Sequence, residues 1–186
     1  MKVVALVGMP GAGKSEVARH FERKGFISIR FGDVTDDEVR KRGMELNEEN
    51  ERTVRELLRQ EHGMAAYAIL NLPRINAARK TSNVIIDGLY SWEEYVFLKD
   101  RLGEDMCLVA VWSSPATRYA RLGRRKVRPL TPAEAAGRDR AEIENINKGG
   151  PIAIADFVII NESSLEDLRS QTDEIIARIE CKCRNA

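Results

Sequence analysis

The chain has 186 residues, 43% of them hydrophobic, with 30 lysines and arginines against 29 aspartates and glutamates, for a net charge of +1. That length suits one core that folds without disulfide or metal staples, and the near-zero balance excludes a general nucleic-acid or membrane-surface binder. The three cysteines make no disulfide framework and point to a reducing compartment, so a cytoplasmic protein is expected.

The chain opens on Lys2-Val3-Val4-Ala5-Leu6-Val7, a β-branched run that reads as a buried strand and is too short for the apolar part of a secretory leader. Gly8-Met9-Pro10-Gly11-Ala12-Gly13-Lys14-Ser15 follows and fits the pattern GxxxxGK plus Ser or Thr at every fixed position. Such a loop turns its backbone N–H groups inward around phosphate, which requires positive φ and close approach, and glycine supplies both cheaply. It predicts a nucleotide site in which residues 8–15 cradle the phosphates, Lys14 sets a point charge on them and the Ser15 hydroxyl faces Mg²⁺. A helix runs from the loop to about Lys24, stopped by Gly25, with Val17, Ala18 and Phe21 inward and His20 on its outer face.

Phe26 to Ile29 reads as a second strand leading to Asp33, which sits just past a strand end, where doubly wound folds bind ligands. A charged helix spans about Asp36 to Arg42. Residues 46–78 read as helical, with Gly63 and Pro73 as breaks or kinks. Arg52, Arg55 and Arg59 are spaced by three and four and share one face. That face is either solvated and paired with Glu48, Glu49, Glu51 and Glu56, or anion-binding. Asn83 to Ile86 is a third strand closing on Asp87-Gly88, the Walker-B pattern, which assigns Asp87 to Mg²⁺; the alternative is a cap for a helix from Ser91 to Lys99.

Met106 to Trp112 is a fourth strand. After it Arg118, Arg121, Arg124, Arg125, Lys126 and Arg128 crowd into eleven residues that contain no acid. Their repulsion favours a phosphate-covering lid over residues 118–137, with Arg121 and Arg125 on the transferring group, above a plain solvated face. A helix carrying Arg138, Asp139 and Glu142 comes next, then a break at Gly149-Gly150-Pro151 and a fifth strand from Asp156 to Ile160. Ser163 and Glu166 read as a capping box for a last helix with Leu165, Leu168, Ile175, Ile176 and Ile179 as its buried stripe. Cys181-Lys182-Cys183 is either half a metal site or a frayed tail, and no metal is assigned to it. Strands alternating with helices make an α/β fold with a parallel sheet covered on both faces, and residues 1–186 read as one domain.

These residues resemble the phosphate-loop kinases of nucleoside-monophosphate type, and the chain is similar in particular to an archaeal family related to adenylate kinase and dephospho-CoA kinase. The loop at residues 8–15 is similar to that of adenylate kinases, and Gly32-Asp33 falls where their acceptor-binding helix begins. Ala155-Asp156-Phe157-Val158-Ile159-Ile160-Asn161 with Ser164-Leu165-Glu166-Asp167-Leu168 instead looks like the C-terminal end of dephospho-CoA kinases. The resemblance implies a three-layer P-loop NTPase fold with sheet order 2-3-1-4-5, an acceptor-binding region at residues 33–80 and an arginine-rich lid. The chain departs from adenylate kinases in two places. Asp36 stands where they carry an arginine, with Arg40 further along the same face, and Asp87-Gly88-Leu89-Tyr90-Ser91 replaces their Asp-Gly-Phe-Pro-Arg.

The resulting expectation is a kinase that uses ATP and Mg²⁺ to phosphorylate a small-molecule, nucleotide-like acceptor. That acceptor is either a dephospho-CoA-like hydroxyl, whose proton Asp33 would accept, or a nucleoside monophosphate. Lys14, Asp33, Arg121 and Arg125 are the expected catalytic residues, with Asp33, Arg40 and Arg59 on the acceptor and Ser15 and Asp87 on the metal. No nucleic-acid or membrane partner is expected, and the protein is expected to be a monomer or homodimer. The opposing class is a nucleotide-dependent switch or regulatory NTPase with slow hydrolysis and a protein partner.

Overall fold

The computed structural model describes residues 1–126 and 129–184, the last three by backbone alone; Arg128 and the Cys183 side chain lie outside the described residues. The apolar runs become β1 (Val3–Val7), β2 (Ile27–Arg30), β3 (Val84–Asp87), β4 (Met106–Trp112) and β5 (Phe157–Ile160). They pair in parallel in the order β2-β3-β1-β4-β5, as the resemblance implies, with Leu6 and Arg30 both level with Asp87. The helices between them are α1 (Lys14–Arg23), α2 (Asp33–Lys41), α3 (Glu48–His62), α4 (Ala66–Ala78) and α5 (Trp92–Leu102), then α6 (Pro115–Gly123), α7 (Pro132–Glu144), α8 (Gly149–Ala153) and α9 (Leu165–Arg184).

β1 is buried on both sides, which is why it reads as an unbroken apolar run. Its Val4 and Leu6, with Ile85, Val109 and Ile159, pack against Val17 and Phe21 of α1 and Ile176 of α9. Val3 and Ala5, with Ile86 and Leu108, pack against Tyr67 and Ile75 of α4, Leu98 of α5, and Val39 and Val54 of α2 and α3. The parallel arrangement brings the carboxyl ends of β1, β2 and β3 together at one rim. Among the described residues no helix is long and apolar enough to cross a membrane.

Several boundaries differ from the sequence expectation. His20 is buried rather than outward, because α9 lies across α1; its Nε2 is 2.7 Å from Asp173 Oδ1 of α9. Gly63 does separate α3 from α4, but Pro73 lies within α4 without ending it, on the exposed side of the helix. The Gly149-Gly150-Pro151 break is instead the first turn of α8, where proline's missing N–H costs no helical bond. The last helix is capped by Ser164, whose Oγ accepts from the Asp167 N–H at 3.1 Å, and not by the box of Ser163 and Glu166. Leu165 is therefore on the exposed first turn, while Leu168, Ile175, Ile176 and Ile179 are buried as expected.

Candidate active site

The carboxyl end of β1 runs into the glycine loop, and α1 starts at Lys14 straight after Gly13. Two glycines fix the loop's path. Gly8 and Gly13 have φ of 152° and 104°, and a Cβ there would lie 2.3 Å from the Val111 carbonyl oxygen and 2.2 Å from Asn161 Nδ2 respectively. Asn161, just past β5, donates its Nδ2 to the Ala12 carbonyl at 2.8 Å, so the loop is clamped from the far side of the sheet.

Lys14 Nζ donates to the carbonyls of Gly8 at 2.7 Å and Met9 at 3.2 Å, which holds the ammonium inside the loop. Burial, with the second ammonium of Lys148, lowers its pKa to about 7. An incompletely neutralised buried cation suits an anion site, since an incoming phosphate restores the charge balance. Ser15 Oγ donates to Asp87 Oδ2 at 3.2 Å, bringing a hydroxyl and a carboxylate together as hard oxygen ligands that fit Mg²⁺. Asp87 does not cap α5: the cap is Ser91, whose Oγ accepts from the Glu94 N–H at 3.1 Å.

These groups share a cleft of about 280 Å³ with Arg30, Tyr90, Arg125, Arg138, Glu142 and Lys148. Arg30, the last residue of β2, donates from Nη1 to Asp33 Oδ1 at 3.1 Å and Asp36 Oδ2 at 3.0 Å. Lys148 is only 1% exposed and stands 2.5 Å from Glu142 Oε2, while Arg138 Nε donates to Glu142 Oε1 at 3.3 Å. Burial alone would raise the Glu142 pKa, but the Lys148 charge and hydrogen bond outweigh it and hold the carboxyl below the usual range. The cleft is therefore cation-rich around Lys14, with Glu16, Asp87 and Glu142 as its carboxylates.

The expected acceptor and lid residues are placed less uniformly. Asp33 opens α2 and borders the cleft through Arg30, with Arg74 Nη2 at 3.9 Å from its other oxygen. Arg40 is exposed and pairs with Asp37 at 3.4 Å, away from the cleft. Arg52 pairs with Glu56 and Arg55 with Glu48, the solvated alternative, and Arg59 lies over the Tyr67 ring at 5.5 Å.

Of the basic run, Arg118 is buried and bidentate to Asp139 at 2.8 and 2.6 Å. Arg121 donates to Ser113 Oγ and the Asn161 carbonyl, both at 3.0 Å, and does not line the cleft; Arg125 does. The run's repulsion is relieved by Asp139 and backbone carbonyls, so the argument that it needs an external anion fails for Arg118 and Arg121. Sequence reasoning passed over Arg30, Tyr90 and Lys148. Arg30 was signalled by its place at a strand end beside Asp33, whereas nothing around Lys148 marks it.

Residues 4–147 match the model of an AAA domain. The UPF0200 protein TK1334 of Thermococcus kodakarensis is 37% identical over 95% of this chain and 100% of its own length, and a UPF0200 protein of Hyperthermus butylicus is 35% identical over 95% of this chain and 94% of its own. Among solved structures, TT1252 from Thermus thermophilus superposes with a TM-score of 0.62 at 19% identity, over 95% of this chain and 97% of that one. Shikimate kinase from Acinetobacter baumannii, solved with shikimate, superposes with a TM-score of 0.59 at 20% identity, over 98% and 94%. At those identities the likeness shows the shared fold.

Proposed function

The chain belongs to the AAA domain family and to the archaeal UPF0200 proteins, and from that premise we propose that it is an ATP- and Mg²⁺-dependent phosphotransferase acting on a small nucleotide-like acceptor. The observation that carries this reading is one cleft in which the glycine loop, the Ser15–Asp87 pair and five further cations meet beside the start of α2. A switch protein needs the loop and the metal pair; an additional cation on the acceptor side, Arg30, is what a second substrate requires.

Lys14 and the loop N–H groups bind and orient the β- and γ-phosphates, and Ser15 and Asp87 would hold the metal, which would supply neutralisation of phosphate charge. Arg125, Arg138 and Lys148 face the same space and stabilise charge that develops on the transferring group. The acceptor oxygen bonds to the γ-phosphorus as the bond to the β–γ bridging oxygen breaks, and the electron pair leaves on ADP. A hydroxyl acceptor passes its proton to Asp33; a phosphate acceptor is already ionised and passes none. Arg121 is left out of this set, because its guanidinium is engaged by Ser113 and Asn161.

The test is ATP consumption and product analysis over a panel of hydroxyl and nucleoside-monophosphate acceptors, with Lys14→Ala as control. One acceptor should raise ATP use well above the water rate. Lys14→Ala should lose that activity, since one charge-stabilising donor is worth on the order of 3 kcal/mol. ATP consumption that no acceptor accelerates would instead mark a slow NTPase, and wild-type turnover in Lys14→Ala would overturn the site.

A further inference from the structure

Tyr90 is held on every side except at its hydroxyl. Its N–H donates to Glu94 Oε2 at 2.8 Å, its ring meets Tyr67 edge-on at 5.5 Å, and the Lys148 ammonium stands 5.3 Å from the ring centroid. The neighbouring Tyr67 hydroxyl is engaged, 2.6 Å from Thr35 Oγ1, whereas the Tyr90 hydroxyl has no hydrogen-bond partner among the described residues and faces the cleft. Its position is given by two glycines: a Cβ on Gly88 would lie 3.1 Å from this hydroxyl, and one on Gly32 would lie 3.4 Å from it and 3.3 Å from Arg30 Nη2. Gly88 follows Asp87 and Gly32 precedes Asp33. The hydroxyl thus sits between the metal-side carboxylate and the start of α2, beside the Arg30 guanidinium.

We propose that Tyr90 is a substrate-contacting residue on the acceptor side, whose hydroxyl donates a hydrogen bond to the reacting group between Asp33 and Asp87; this rests on the phosphotransferase reading above. Burial, with Glu94 and Asp87 nearby, pushes the phenol above its ordinary range, so it remains a neutral donor rather than a nucleophile. Tyr90 and Arg30 together present two donors to the same space. They match an acceptor whose reacting atom is oxygen, a phosphate oxygen or a hydroxyl, and they disfavour an amine, which would confront donors with a donor. The rigid ring matters as much as the hydroxyl, since a donor held in place loses no rotamer freedom on binding. The Tyr90 proton stays on Tyr90 throughout the transfer.

Tyr90→Phe deletes only the hydroxyl. With Mg²⁺ and ATP, the variant should show an unchanged melting temperature and KM for ATP, while kcat falls about 10- to 100-fold, the effect of one hydrogen bond to a charged group. Tyr67→Phe is the control: its hydroxyl is engaged by Thr35, so it should lower the melting temperature and leave kcat unchanged. Wild-type kcat in Tyr90→Phe, or a loss confined to KM for ATP, overturns the proposal alone. A wild-type protein whose ATP consumption no acceptor in the panel accelerates, or that consumes no ATP at all, overturns the phosphotransferase reading and this proposal with it.

Discussion

The Glu94 carboxyl has no exposed surface; one oxygen accepts the Tyr90 N–H and the other has no hydrogen-bond partner among the described residues. Burial, only partly offset by the Tyr90 N–H and by the charges of Arg59 and Lys148, pushes its pKa up to about 7. In the unfolded chain the group titrates at about 4.3, so between those values the folded protein keeps a proton that the unfolded chain has released. Its contribution to stability is complete below the unfolded value and is lost as pH rises through about 7. Glu94→Gln retains an oxygen for the Tyr90 N–H and cannot ionise. Urea unfolding at about pH 5 and about pH 8 should show the variant gaining on the wild type by on the order of 3 kcal/mol across that window. A difference that stays constant with pH would mean that Glu94 is charged in the fold at both values.

At the scale of an element, α6 and the turn after it carry two arginines of opposite purpose. Arg121 ties the end of β4 to the residue after β5 through Ser113 and Asn161, whereas Arg125 opens on the cleft. Arg121→Ala should lower stability by about 1–3 kcal/mol, since it removes the charged hydrogen bonds that tie Ser113 to Asn161. Arg125→Ala should melt like the wild type and lower kcat more than it raises KM for ATP. A kcat loss in folded Arg121→Ala, with Arg125→Ala active, would reverse the two roles.

The sequence could not separate these arginines, because spacing places side chains on a helix face but does not say which strand lies beneath it. The elements that were legible carry their own signal. The run Met106 to Trp112 is apolar throughout and became β4 at those bounds, and the loop of residues 8–15 needs no distant partner to be recognised. What stayed hidden depends on contacts across the chain. His20 was turned inward by Asp173 of α9, and Lys148 was brought to the cleft by the packing of α8 on α5 and β4, which sets its ammonium over the Tyr90 ring.

For the molecule as a whole, the open question is what keeps its sheet from pairing with another. β5 is an edge strand with Val158 55% and Ile160 53% exposed, and Trp112 at the end of β4, level with Ile160, is 46% exposed, so an apolar strip runs beside the edge. An unpaired edge beside such a strip is a template for association. Since the Asn161 N–H bonds the Trp112 carbonyl, alternation turns the N–H and carbonyl of Ile160 away from β4, toward the edge. Both are taken by one side chain: Gln171 Oε1 accepts the Ile160 N–H at 2.9 Å, and Gln171 Nε2 donates to the Ile160 carbonyl at 2.9 Å. The amide from α9 thus imitates a neighbouring strand for one residue and closes the edge where it is most apolar. Gln171→Ala removes both bonds and should increase the share of self-associated protein in sedimentation velocity at equal concentration, with faster hydrogen exchange at the Ile160 amide. Gln171→Glu, which can accept but not donate, should fall between the two. Faster exchange in Gln171→Ala without any change in sedimentation would show that the clasp orders the strand and that the apolar strip is not what it guards.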